Sequence, residues 1–188
     1  MSHHLTVSLS QECKGVDLNR NFGYHWGGYG ASNDPCKETY RGPSSFSEPE
    51  SRAIRNFLLS GEANFQLYLT FHSYGQYLLY PWGYDKLDTR DWQELKHVGD
   101  VANNAMRRLN HGVSYQVGSA AKMLYPASGG SDDWAKGGAN IKYSYTVELP
   151  DTGRHGFLLP ANKIETVGRE AFAGFEAMVR ELIRTGGQ

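Results

Sequence analysis

The chain has 188 residues, with 19 Lys+Arg against 20 Asp+Glu, and carries a formal charge of -1. That length fits one domain able to bury a substantial core, and the near-neutral balance, without a block of like charges, argues against a nucleic-acid binder. Aromatic residues make up 13% of the chain, too many for a disordered polymer, and no apolar run approaches the length that spans a bilayer.

Residues 1–12 read as an N-terminal extension, with no apolar leader after Met1-Ser2-His3-His4-Leu5. Residues 13–188 read as one unit without repeats or linkers. Cys13 and Cys36 are either two buried thiols or a bridge across an irregular loop. A bridge closing about two dozen residues contributes about 3 kcal/mol in the chain-entropy model and implies an oxidising compartment. Residues 12–46 are loop-rich, with Gly27-Gly28-Tyr29-Gly30 and Asn33-Asp34-Pro35 as turn formers. Ser47-Glu48-Pro49-Glu50 predicts a helix start, with Ser47 as cap and Ala53, Ile54, Phe57 and Leu58 on one face.

Phe65 to His72 alternates strictly and predicts a strand, with Phe65, Leu67, Leu69 and Phe71 on one side. Tyr77 to Tyr80 predicts a second, ended by Pro81. Trp92, Leu95, Val98, Ala102, Ala105, Met106 and Leu109 recur at helical spacing. Lys142 to Leu149 alternates again, Tyr143, Tyr145, Val147 and Leu149 against Lys142, Ser144, Thr146 and Glu148. Ile164, Val167, Ala171, Phe172, Phe175, Met178, Val179 and Leu182 form the stripe of a long terminal helix. Helices interleaved with strands indicate an α/β fold, a mixed sheet flanked by helices.

No phosphate loop, nucleophile elbow, His-Glu-x-x-His or Cys-x-x-Cys is present. His97 and Asp100 have metal-like spacing but read as a solvated helix face. His72 and Glu148 stand at strand ends, where α/β sheets bind ligands. They read as ligand and base, or as ordinary polar residues. Asp132-Asp133 after Ser128-Gly129-Gly130-Ser131 reads as a helix start capped by Ser131, with one acid left to face a pocket. Asn19-Arg20-Asn21 reads as a turn, or as a site where Arg20 grips a carboxylate.

Five ordered stretches carry a resemblance. They are Gly15–Phe22, Phe71–Tyr74, Tyr125–Trp134, Lys142–Leu149 and Asp151–Phe157. Together they resemble the zinc metallocarboxypeptidases of the pancreatic A/B type, over residues 13–182. The resemblance implies that His72 is a zinc ligand and that Glu148 is the base acting on zinc-bound water. It implies that Asn19 and Arg20 hold the substrate's terminal carboxylate and that Tyr125 closes as a lid. It implies that Ser73, Tyr74 and Phe157 line a neighbouring subsite. It places Asp132 at the specificity position, and an acid there resembles the B type, which removes C-terminal Lys or Arg. The same resemblance implies a Cys13–Cys36 disulfide, a Zn2+ cofactor, peptide or protein C-termini as partners, a monomer and an extracellular location.

The sequence also departs from that pattern. The family's His-x-x-Glu pair, which supplies two more zinc ligands, has no match, nor has its upstream arginine. Pro150, His155 and the Gly-rich stretch Lys136–Asn140 are smaller departures. The chain therefore reads as the carboxyl-terminal part of such a domain. The alternative is a catalytically inactive remnant able at most to bind peptide C-termini. Loss of sheet strands upstream predicts an unpaired edge or an exposed apolar face.

Overall fold

Two alternating segments set the centre of the fold. In the computed structural model, which describes residues 13, 15–109 and 114–186, β1 (Leu67–Ser73) and β4 (Tyr143–Leu149) run parallel in register, from Leu67 opposite Tyr143 to Ser73 opposite Leu149. β2 (Tyr77–Tyr80) lies antiparallel on the other side of β4, and β3 (Gln116–Ser119) pairs with β2 in parallel. The order is β1-β4-β2-β3, the mixed sheet expected. β4 is central, and its first five residues are buried.

The period of two sorts β4 by face. Tyr143, Tyr145 and Val147 enter the core with Leu78 and Tyr80 of β2. Two helices cover that side, α2 (Trp92–Leu109) and α5 (Ile164–Thr185). α2 contributes Leu95, Val98, Ala102 and Met106, and α5 contributes Met178 and Leu182. The fully buried Tyr145 donates its hydroxyl to the Leu95 carbonyl at 2.8 Å, so its polar end is satisfied. Ser144, Thr146 and Glu148 alternate to the other face. There α4 (Ser131–Gly137) packs, and Ser144 Oγ donates to the Asp132 carbonyl at 2.8 Å.

The long loop before the sheet is tied rather than layered. Cys13 and Cys36 form a disulfide. Asn21 is fully buried, and its Nδ2 lies 2.9 Å from the Arg41 carbonyl, 3.0 Å from the Ser44 carbonyl and 2.9 Å from Ser47 Oγ. Its Oδ1 accepts from Ser51 Oγ at 2.6 Å. This hub also explains a shifted helix start. Ser47 serves Asn21 instead of capping, so α1 (Pro49–Leu58) begins behind Glu48, with Pro49 in its first turn.

Other expectations require correction. The stripe foreseen for α1 is not covered: Ile54 and Phe57 are 38% and 58% exposed, and Ser51 is the buried residue. Only the carboxyl-terminal half of the α5 stripe is packed, and Ile164 and Phe172 face solvent. β3 and α3 (Ala120–Met123) were not foreseen, because four-residue elements carry too little period to read. His97 is not simply solvated: its Nε2 lies 2.7 Å from Glu181 Oε1, joining α2 to α5. No helix among the described residues is long and apolar enough to cross a membrane. The predicted extension, residues 1–12, lies outside the described residues.

Candidate functional site

The parallel pairing of β1 and β4 places His72 directly opposite Glu148. Thr70 lies on the same strand face as His72, and its Oγ1 is 3.1 Å from His72 Nε2. Burial holds the His72 imidazole below its ordinary value, against the pull of Asp132 and with the help of Arg20. Burial pushes the Glu148 carboxyl up to about 7, and the charge of Asp132 adds to the rise. A carboxyl that titrates near neutrality can both take and return a proton at that pH.

Asp132 and Asp133 open α4, and both are buried. The capping residue is Gly130, not Ser131, which is the first helical position. Asn19 Oδ1 does the capping work, accepting from the Ser131 amide at 3.0 Å. The two acids then diverge. Asp133 Oδ1 accepts from the Gly83 amide and Oδ2 from the Tyr84 amide, each at 2.8 Å, so it fixes a loop. Asp132 stays beside His72 and Glu148, and burial raises its carboxyl despite hydrogen bonds that include one from Thr146. Tyr68 lies beside Asp132 and Ser131, and burial raises its phenol.

Two glycines make this approach possible. A Cβ on Gly129, whose φ is +81°, would sit 2.3 Å from the Arg20 carbonyl. A Cβ on Gly130 would sit 2.8 Å from Asp132 Oδ1. Ser128-Gly129-Gly130-Ser131 thus lets the α4 entry close onto the turn Leu18–Arg20.

Asp17 caps that turn by accepting from the Asn19 amide at 3.0 Å. Arg20 is buried, with Nε donating to the Gly30 carbonyl at 3.0 Å and Nη1 to the Asn19 carbonyl at 2.9 Å. Arg20 Nη2 and Asn19 Nδ2 make no hydrogen bond among the described residues. Two such donors on adjacent residues suit a carboxylate.

His72, Glu148, Asp132 and Arg20 therefore form one cluster. Ser73 continues β1 beyond His72 and is exposed. Tyr74 follows, with its ring 5.1 Å from that of Phe157, which is 79% exposed. Tyr125 lies exposed between α3 and α4 without a hydrogen bond among the described residues. Tyr68, Thr70, Thr146 and Asp17 were not singled out from the sequence. Alternation already put the first three on the polar strand faces with His72 and Glu148; for Asp17 the signal was its place just before the turn.

The zinc carboxypeptidase family model, Peptidase M14, matches residues 3–174. Carboxypeptidase B of Astacus astacus is 48% identical over 88% of this chain and 54% of its own length. Carboxypeptidase A2 of Mus musculus is 43% identical over 90% of this chain and 40% of its own. Among solved structures, bovine thrombin-activatable fibrinolysis inhibitor in complex with tick carboxypeptidase inhibitor superposes with a TM-score of 0.89 at 38% identity, covering 96% of this chain and 61% of that one. Carboxypeptidase A from Helicoverpa armigera gives 0.82 at 37% identity, covering 89% and 42%. The chain belongs to the zinc carboxypeptidase family. It spans about half or less of the length of these curated relatives.

Among the described residues the donor set does not match the family's metal. A catalytic zinc takes three protein ligands and an open position. Among the described residues His72 is the one imidazole in the cluster. His25 stacks on Tyr84, His97 binds Glu181, and His155 binds Asp151. Among the described residues no group of three or more His, Cys, Asp or Glu side chains is placed to hold a metal ion.

Proposed function

We propose that this chain carries the substrate grip and the proton-transfer carboxylate of an extracellular carboxypeptidase acting on C-terminal Lys or Arg. By itself the chain binds such C-termini without hydrolysing them. The observation that carries this reading is Asp132, a buried carboxylate beside His72 and Glu148 with Arg20 close by. Arg20 Nη2 and Asn19 Nδ2 hold the peptide's terminal carboxylate. The terminal side chain reaches Asp132, where a cation compensates the desolvation of both charges. An apolar side chain leaves the carboxylate buried and unpaired. In the complete enzyme Glu148 would pass a proton from a nucleophile to the leaving amine. Ser73, Tyr74 and Phe157 form the outer wall, and Tyr125 covers the bound residue. Where a complete domain holds it, zinc would supply Lewis acidity and an acidified water. The Cys13–Cys36 disulfide supports an oxidising compartment.

Calorimetric titration with short peptides ending in Arg, Leu or Arg-amide tests this reading in metal-free buffer. Arg is expected to bind about a hundredfold more tightly than Leu, and amidation to weaken it. Asp132, the carboxylate that meets the cation, holds its proton more tightly than an ordinary carboxyl, so the Arg peptide should gain affinity as pH rises. Equal affinity for Arg and Leu, or a preference for Arg that survives Asp132→Asn, would reject the assignment of Asp132.

A further inference from the structure

The loop of residues 151–157, which leaves β4 just past Glu148, is closed on one carboxylate. Asp151 Oδ1 accepts from the Gly153 amide at 2.7 Å. Its Oδ2 accepts from the His155 amide at 3.0 Å and lies 2.6 Å from His155 Nδ1. The His155 carbonyl in turn accepts from the Leu158 amide at 3.0 Å. Such a loop has much freedom to lose, because Gly153 and Gly156 both hold positive φ, +117° and +55°. It wraps the Tyr74 ring. A Cβ on Gly153 would meet that ring at 3.5 Å and one on Gly156 at 3.8 Å, and the Phe157 ring lies 5.1 Å from it. Hydrogen bonds, that of the Gly153 amide foremost, hold the Asp151 carboxyl below its ordinary value. It is therefore ionised across about pH 5 to 8 and only accepts. His155 Nδ1 must then carry a proton, whether the ring is neutral or charged.

We propose that Asp151 and His155 are a positioning pair for the outer wall of the site: the Nδ1–H of His155 pins the loop so that Phe157 stays against Tyr74 and the wall grips an apolar residue just before the substrate's terminal one. This rests on the reading of Tyr74 and Phe157 as that wall. The pair acts through Phe157, which is 79% exposed and owes its place to the loop that carries it. An exposed ion pair standing alone contributes little. Here the same carboxylate also ends two backbone amides of the turn, so the ring's bond completes a closure that already exists. A wall fixed before binding has less freedom to lose when a side chain settles on it, and that difference appears as selectivity. His155 is one of the positions where the sequence departs from the family's motif, so the pin belongs to this chain and not to the motif. Recognition of the terminal residue at Asp132 is a separate matter, since Asp132 enters from α4.

Nitrogen-15 NMR of the full chain reads the proton directly. Neutral His155 should be the Nδ1–H tautomer, where a free imidazole favours Nε2–H. Calorimetry with peptides ending in Phe-Arg and Gly-Arg reads the wall, and the native chain should favour Phe-Arg by about tenfold. His155→Phe keeps a ring and loses the donor. The ratio should fall to about threefold or less, with Gly-Arg affinity unchanged. His155→Asn returns a donor near the Nδ1 position and should restore the ratio. Amide exchange over residues 153–158 should quicken in His155→Phe and not in His155→Asn. An Nε2–H tautomer overturns the proposal, and so does a native ratio in His155→Phe. A ratio lost equally in both variants assigns the effect to the ring's bulk and overturns it too. Arg-dependent binding that ignores the preceding residue overturns the proposal and spares the reading of Asp132, whereas a native chain that binds neither peptide overturns both.

Discussion

Asp132 and Asp133 are chemically identical neighbours with opposite duties. Asp133 spends both oxygens on the amides of Gly83 and Tyr84, which have no other acceptor if it is removed. Leaving buried donors unpaired is costly, so Asp133→Ala is expected to destabilise the chain by about 2 kcal/mol. Asp132 carries a burial cost that its surroundings only partly offset. Asp132→Asn removes that charge and should change stability by less than about 1 kcal/mol, in either direction. Urea denaturation of the two variants separates the roles. Equal losses would mean that Asp132 is also a structural brace, and the specificity reading would lose its support.

Between elements, the seam of α2 and α5 is held by packing and by one carboxylate. Glu181 Oε1 meets His97 Nε2 at 2.7 Å and Arg184 Nη2 at 2.6 Å. Arg184 and then His97 hold its carboxyl down, to about 2. A depressed carboxyl stabilises the fold above its unfolded value near 4.5, and that stability is lost as pH falls toward 2. Melting curves of the native chain and Glu181→Gln should therefore differ fully at pH 6 and converge near pH 2. A difference that persists at pH 2 would assign the effect to packing. The two helices were legible in the sequence because their apolar spacing runs over many turns. Which part of each stripe is covered was not legible. Ile54, Phe57 and Phe172 share the pattern of buried residues and yet face solvent. Coverage is set by neighbours distant in sequence, which periodicity does not describe. The site shows the same division. Alternation put His72 and Glu148 on polar strand faces, but only the adjacency of β1 and β4 sets them opposite each other. Asn19 was read as a substrate contact, and its capping of α4 through Oδ1 came only with the fold.

For the molecule as a whole, the proposed recognition and the family's metal binding come apart. The disulfide, the Asn21 hub and the α4 entry assemble Arg20, Asp132, His72 and Glu148 from four distant stretches within these residues. Among the described residues a set of three metal ligands is not so assembled. A single His binds zinc weakly, and without bound metal a water near Glu148 keeps a pKa of about 15.7, far above what a carboxylate can deprotonate. Zinc titrated into the isolated chain should therefore give no tight one-to-one isotherm, and peptides ending in Arg should bind but remain uncleaved. Glu148→Gln should then leave peptide affinity within about threefold, since the residue has no reaction to drive. Tight stoichiometric zinc together with hydrolysis that Glu148→Gln abolishes would show that ligands lie outside the described residues. It would return the chain to the hydrolases in its own right. Binding lost with Asp132→Asn but kept with Glu148→Gln would instead fix recognition as what this chain does alone.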